Sequence, residues 1–235
     1  MPKAAANLLA LLRRVELRVL LLLGVLAALV WAFLAIGGEM IEGDTLGLDR
    51  ALLLSMRSPS NLGDPIGPRA FEEAIRDVTA LGSFTMLTLV TVVAVIGFAI
   101  HRLWIHAGVM AGTMLLAQAC SHLLKTAYDR PRPDVVPHGV EVYSASFPSG
   151  HAMLSAVTYL TVAALVAHLE VSSRAKTLVF VLAMVLMAAI GVSRVYMGVH
   201  WPSDVLAGWC AGAAWALAAW LVVMRLTRSP LRPAP

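Results

Sequence analysis

Charge is scarce in this sequence. Only 14% of its 235 residues are Asp, Glu, Lys or Arg, while 59% are hydrophobic and the mean hydropathy is +0.79. Soluble domains carry about 25% charged and roughly half apolar residues, so an ordinary water-soluble fold is excluded and a membrane protein is implied. Cysteine is almost missing as well. Cys120 and Cys210 both lie inside long apolar runs; neither a disulfide framework nor a redox compartment can be read from them, and they count as small buried side chains. Metal-ligand spacing is lacking: His101, His106, His122, His138 and His168 form no defensible set with Cys or carboxylates. The chain shows no solenoid period, low-complexity tract or nucleic-acid signature.

What the chain has in abundance is apolar sequence long enough to cross a ~30 Å hydrocarbon core. Runs nearly free of charge cover residues 19–36, 84–100, 104–124, 152–169, 178–192 and 205–224. The expectation is an all-α polytopic membrane protein, six transmembrane helices in one bundle, forming a single membrane-embedded domain over residues 1–235. Arg13, Arg14 and Arg18 precede the first run, which exceeds a ~7–15-residue signal core and is followed by no clear small-residue cleavage site, so it is read as an uncleaved span. Alternating loops gather Lys3, Arg13, Arg14, Arg18, Arg102, Arg174, Lys176 and the arginines of the C-terminal tail on one face, with only Glu16 and Glu170. By the Lys/Arg rule that face is cytoplasmic, which puts both termini inside the cell on a plasma (inner) membrane. Anionic headgroups of the membrane lipids are sufficient partners for its basic excess.

The first outward segment, residues 37–83, is too long for a simple connection. After Pro68, the residues Phe71, Ala74, Ile75, Val78 and Leu81 recur at helical spacing and predict an interfacial helix that caps the bundle's outer end. The preceding RSPSNLGDPIGP is rich in turn formers and is expected as loop. The tail RLTRSPLRPAP reads as a basic, largely disordered end. Small residues in AGWCAGAA of the sixth span allow close helix packing inside one bundle or between two copies, so a homodimer stays open.

Three polar clusters fall at outward ends of the spans: KTAYDRPRP from Lys125, FPSGH ending at His151, and SRVYMGVHWPSD from Ser193 to Asp204. In a compact bundle they converge on one patch. Lys125, Arg132 and Arg194 supply cations, and Ser149 and Gly150 stand at a helix start whose free N–H groups add donors and a positive dipole end. Together they describe an anion site, with phosphate as the ligand that suits guanidinium forks best. Two histidines beside it point to chemistry: one imidazole can attack phosphorus while the other, protonated, serves the leaving oxygen. His200 and Asp204 stand at i, i+4, the spacing at which a carboxylate on a formed helix start orients an imidazole, with Pro202 and Ser203 as first-turn and capping residues. Arg130 lies outside this pattern and is expected to be a solvated loop or outer-rim residue, as are Asp129 and Asp134. Tyr196 and Trp201 are expected in the interfacial aromatic belt.

These clusters resemble the signature of the type 2 phosphatidic acid phosphatase superfamily, the lipid phosphate phosphatases. Lys125 stands before Arg132-Pro133, Pro148-Ser149-Gly150-His151 follows, and Ser193-Arg194 precedes His200 and Asp204, with every motif position filled in order. The resemblance implies a phosphatase that uses no metal and no cofactor and works through a phosphohistidine outside the membrane. It assigns phosphoryl binding to Lys125, Arg132, Ser149, Gly150 and Arg194. It makes His200 the nucleophile, Asp204 its orienting partner and His151 the acid for the leaving group. The implied substrate is a phospholipid or isoprenoid-lipid phosphate: undecaprenyl diphosphate, phosphatidic acid, phosphatidylglycerol phosphate and a lipid A phosphate all present the same terminal group. A phosphotransferase using the same intermediate, and a non-catalytic binder or transporter of anionic lipids, are the alternatives.

Overall fold

The structure, a computed structural model, describes residues 2–142 and 144–227, with side chains from Leu17 onward. The basic tail beyond Thr227 and the side chains of Lys3, Arg13 and Arg14 lie outside the described residues. In chain order the elements are α1 (Pro2–Glu42), α2 (Leu46–Leu54), β1 (Arg57–Ser58), β2 (Asn61–Pro65), α3 (Arg69–Ala80), α4 (Phe84–Ile100), α5 (Trp104–Tyr128), α6 (Gly150–Leu169), α7 (Ser173–Tyr196) and α8 (Pro202–Leu226). Among the described residues, five helices are long and apolar enough to cross a membrane unaided: α1 from Leu17, α5, α6, α7 and α8. The 17-residue α4 makes a sixth when taken with α3, from which it is bent by 50°. Serines start several of these helices. The hydroxyls of Ser83, Ser149 and Ser172 accept from backbone N–H groups three residues on, opening α4, α6 and α7.

α6 is the centre. Two-thirds (67%) of its apolar span is buried in the bundle, against 6% for α1, which lies along α8. α4, α5, α7 and α8 surround α6. The tightest seam is between α6 and α8: a methyl group at Gly208 would come within 2.9 Å of the Ser149 carbonyl oxygen, and one at Gly212 would collide with the Met153 carbonyl. Glycines four residues apart thus allow two backbones to meet, which is how helices gain van der Waals contact where lipid removes the hydrophobic incentive. Large apolar side chains face outward instead, among them Leu20, Trp31, Ile100, Leu115 and Leu123.

The outer segment departs from expectation in one place. RSPSNLGDPIGP is a short antiparallel hairpin, β1 with β2, because Arg57 pairs with Pro65 and Ser58 with Asn61 across the turn. The helix expected after Pro68 is present as α3, and its Phe71 stands edge-on to Tyr196 with ring centroids 5.6 Å apart. The spans also overrun their apolar cores: Lys125 lies in the last turn of α5 and Arg194 in that of α7.

Candidate active site

The three polar clusters meet at one end of the bundle. α5 stops at Asp129, whose left-handed φ of 39° turns the chain into the 129–149 connection. That connection returns to α6 through Ser149, whose backbone N–H donates to the Asp204 carbonyl (3.0 Å), so the starts of α6 and α8 are tied together. Between α7 and α8 the chain reverses at Gly198, with φ of 71° and a methyl's position already within 2.7 Å of Val136. Only glycine suits a left-handed residue in so little space. The reversal delivers His200 beside Asp204.

The structure brings the expected site residues to this one end of the bundle. Lys125 Nζ donates to the Ala145 carbonyl (2.6 Å), and its Cε would be 3.6 Å from a methyl placed on Gly150. Arg132 donates from Nε to the Ser144 carbonyl (2.8 Å) and from Nη1 to the Val199 carbonyl (2.6 Å). Arg194 is buried; its Nη1 donates to Thr79 Oγ1 of α3 (3.0 Å), while its Nε has no partner among the described residues. Ser149 is wholly buried as the α6 cap. His151 opens α6 within electrostatic range of Arg194, His200, Lys125 and Arg132. The start of α6 therefore lies near three cations, one of which has a donor without a partner among the described residues.

His200 Nδ1 lies 3.3 Å from Ser146 Oγ and 3.4 Å from Asp204 Oδ2, and Nε2 lies 3.3 Å from Arg132 Nη1. With Nδ1–H directed at the carboxylate, Nε2 keeps its lone pair towards the cations. Burial pushes the His200 pKa well below its ordinary value; Asp204 pulls it up and Arg132 and Lys125 push it down. Burial also lowers that of Arg132, against the pull of Asp204. The ring is held with Nδ1 towards Asp204 and Nε2 towards Arg132.

Residues 106–228, just over half the chain, match the PAP2 superfamily. The chain belongs to that family. Phosphatidylglycerophosphatase B of Bacillus subtilis (strain 168) is 36% identical over 141 residues, 60% of this chain and 69% of that protein. An undecaprenyl-diphosphatase of Sulfolobus acidocaldarius is 37% identical over 68 residues, 29% of each chain. Among solved structures, a transmembrane PAP2-type phosphatidylglycerolphosphate phosphatase from Bacillus subtilis superposes with a TM-score of 0.73 at 28% identity, covering 86% of this chain and 98% of that one.

Several residues around this PAP2 site differ from their expected roles. Arg130 is not a solvated loop residue: it is buried, donating from Nη1 to Asp204 Oδ1 (2.5 Å) and Ser203 Oγ (2.8 Å) and from Nη2 to Asp49 Oδ2 (2.8 Å). Asp129 and Asp134 are exposed, as expected. Tyr196 and Trp201 do not sit in an interfacial belt. Both are buried, the Tyr196 hydroxyl donating to the Ile66 carbonyl (2.7 Å) and the Trp201 ring lying 5.6 Å from the Arg130 guanidinium. Pro202 occupies the first turn of α8, but Ser203 is not its cap. Asp204 Oδ2 accepts from the Trp201 N–H (2.9 Å), and Asp49 Oδ1 of α2 accepts from the Ser203 N–H (2.8 Å). His122 is exposed and lines an apolar groove of about 640 Å³ between α4 and α5.

Ser146, Asp49 and Thr79 were missed altogether. Ser146 Oγ donates to Asp204 Oδ2 (2.5 Å). Asp49 had one signal: it stands one turn before Leu53, and both are buried on the same face of α2, so a carboxylate occupies an apolar stripe and requires a partner. For Thr79 the helical spacing of the outer segment gave the element and nothing about its contact.

Proposed function

We propose that this PAP2-type lipid phosphatase removes a terminal phosphate or pyrophosphate group from a membrane lipid through a phosphohistidine on His200, at the extracytoplasmic face. The observation that carries the reading is the orientation of the His200 ring, Nδ1 towards Asp204 and Ser146 and Nε2 towards Arg132. Arg132 now donates to a neutral nitrogen. An arriving phosphoryl group offers it a charged acceptor instead and frees the Nε2 lone pair, while Lys125, Arg194 and the α6 N–H groups take the remaining oxygens.

In the first step the Nε2–P bond forms and the bond from phosphorus to the lipid oxygen breaks. His151 gives its proton to that oxygen, and the phosphoryl charge beside it serves as the imidazolium's counter-ion. Asp204 stabilises the positive charge that develops on His200. In the second step water attacks phosphorus, its proton goes to His151, the P–N bond breaks and inorganic phosphate departs.

The groove between α4 and α5 supports a lipid as substrate. It runs from Ile96 to Phe84 and its exposed surface is mainly apolar, with Thr88, Thr91, Gln118 and His122 as its polar lining residues. Beside Phe84 the α3–α4 corner comes close to His151, where a methyl at Gly82 would be 3.3 Å from the imidazole. The names of the two relatives favour phosphatidylglycerol phosphate and undecaprenyl diphosphate as headgroups. The positive-inside pattern supports cytoplasmic termini and an outward-facing site.

The test is phosphate release from phosphatidylglycerol phosphate, undecaprenyl diphosphate, phosphatidic acid and a lipid A phosphate by purified protein in detergent with excess chelator. Wild type releases phosphate and His200→Ala loses about 10⁴-fold or more of the turnover, as removal of a nucleophile does elsewhere. Quenched with base during turnover, the wild-type protein carries acid-labile phosphate and the variant none. Equal turnover by the two proteins overturns the reading.

A further inference from the structure

Resting on His200 as a nucleophile oriented by Asp204, we infer that Asp49 and Arg130 form a positioning pair that holds Asp204, and through it His200, from the outer segment of the chain. The two oxygens of Asp204 are divided. Oδ1 is taken by Arg130 Nη1 at 2.5 Å. Oδ2 is left to Ser146 Oγ, the Trp201 N–H and His200 Nδ1. Arg130 therefore sets the rotation of the carboxylate and so the direction in which it faces the imidazole.

Arg130 is fixed in turn. Its Nη2 donates to Asp49 Oδ2 (2.8 Å) and approaches Thr45 Oγ1 (3.3 Å), and its guanidinium lies against the Trp201 ring. The planar fork thus bridges two carboxylates, an arrangement that a point charge cannot reproduce. Asp49 is anchored by both the N–H (2.8 Å) and the hydroxyl (2.6 Å) of Ser203, the residue before Asp204. All three charged side chains are buried. α2 lies before residue 106, where the family match begins, so Asp49 acts on the motif from outside it.

The experiment uses the full chain in detergent with phosphatidylglycerol phosphate as substrate and inorganic phosphate as inhibitor. Asp49→Asn keeps an acceptor for the Ser203 N–H and removes the charge; Arg130→Gln removes the cation, and Arg130→Lys restores it without the fork. Asp49→Asn and Arg130→Gln each lower kcat by about 10- to 100-fold, the cost of a misaligned reacting group, with KM and inhibition by phosphate held within about twofold. Arg130→Lys recovers part of the loss, and the double variant is no slower than the slower single variant, because the two residues act as a unit. Turnover at the wild-type rate in both single variants, beside an inactive His200→Ala, overturns the pair and leaves the nucleophile standing. Loss of phosphate inhibition in step with kcat also overturns it, since the pair would then be shaping the anion pocket. An active His200→Ala removes the underlying reading and the pair with it.

Discussion

At the scale of single residues, the protonation of His200 follows from its surroundings. Burial takes its pKa from an ordinary 6.5 down to about 3, even with Asp204 alongside. The native protein therefore binds this proton less readily than the unfolded chain, so the contribution to stability is complete above pH 6.5 and is lost as pH falls towards 3. Thermal unfolding in detergent should show a midpoint that declines below pH 6.5, and the decline should be shallower in His200→Ala. The residues that resemble the family's motif were legible in the sequence because their chemistry demands fixed spacing along short segments. Arg130 and Asp49 were not. Their partners are 74 and 154 residues away, and a charge in a loop reads as solvated until the segment that neutralises it is known.

Among elements, the seam between α6 and α8 matters most, because it joins the helix start that faces the anion site to the helix that carries Asp204. Gly212→Leu places a side chain where the Met153 carbonyl stands and should cost about 1–3 kcal/mol or more, the usual penalty of overpacking. Gly24→Leu on α1 is the control, since a methyl there meets nothing within 4 Å. Melting in detergent should separate the two variants, and equal midpoints would show that the seam is not tightly packed. Hydropathy placed an apolar run on each of α1 and α4 to α8 but set the C-terminal ends of α5 and α7 short. An apolar run stops at its first charge, whereas backbone hydrogen bonding continues through Lys125 and Arg194 to the ends of α5 and α7. The β1–β2 hairpin escaped notice because turn formers dominate its composition, and two paired positions leave no alternation to read.

At the scale of the whole molecule, the proposed orientation makes a prediction with opposite signs at the two ends of α6. Asp134 and Arg174 are exposed beyond opposite ends of that helix. With Cys120 and Cys210 replaced by alanine, a cysteine at Asp134 should react with a membrane-impermeant maleimide from outside intact cells, and one at Arg174 only after permeabilisation. The reverse pattern would invert the topology. One further consequence comes from the division of Asp204 between Arg130 and His200. The groups that hold Asp204 and His200 come from α2, the 129–149 connection and α8, so no early portion of the chain contains the whole of the proposed site. On the proposed mechanism, a nascent protein whose α8 has yet to insert already carries Lys125, Arg132, the α6 start and His200, but lacks the Asp204 that aims the imidazole. The same mechanism would spare nearby lipid phosphates until α8 is in place, its insertion being the step that completes the site.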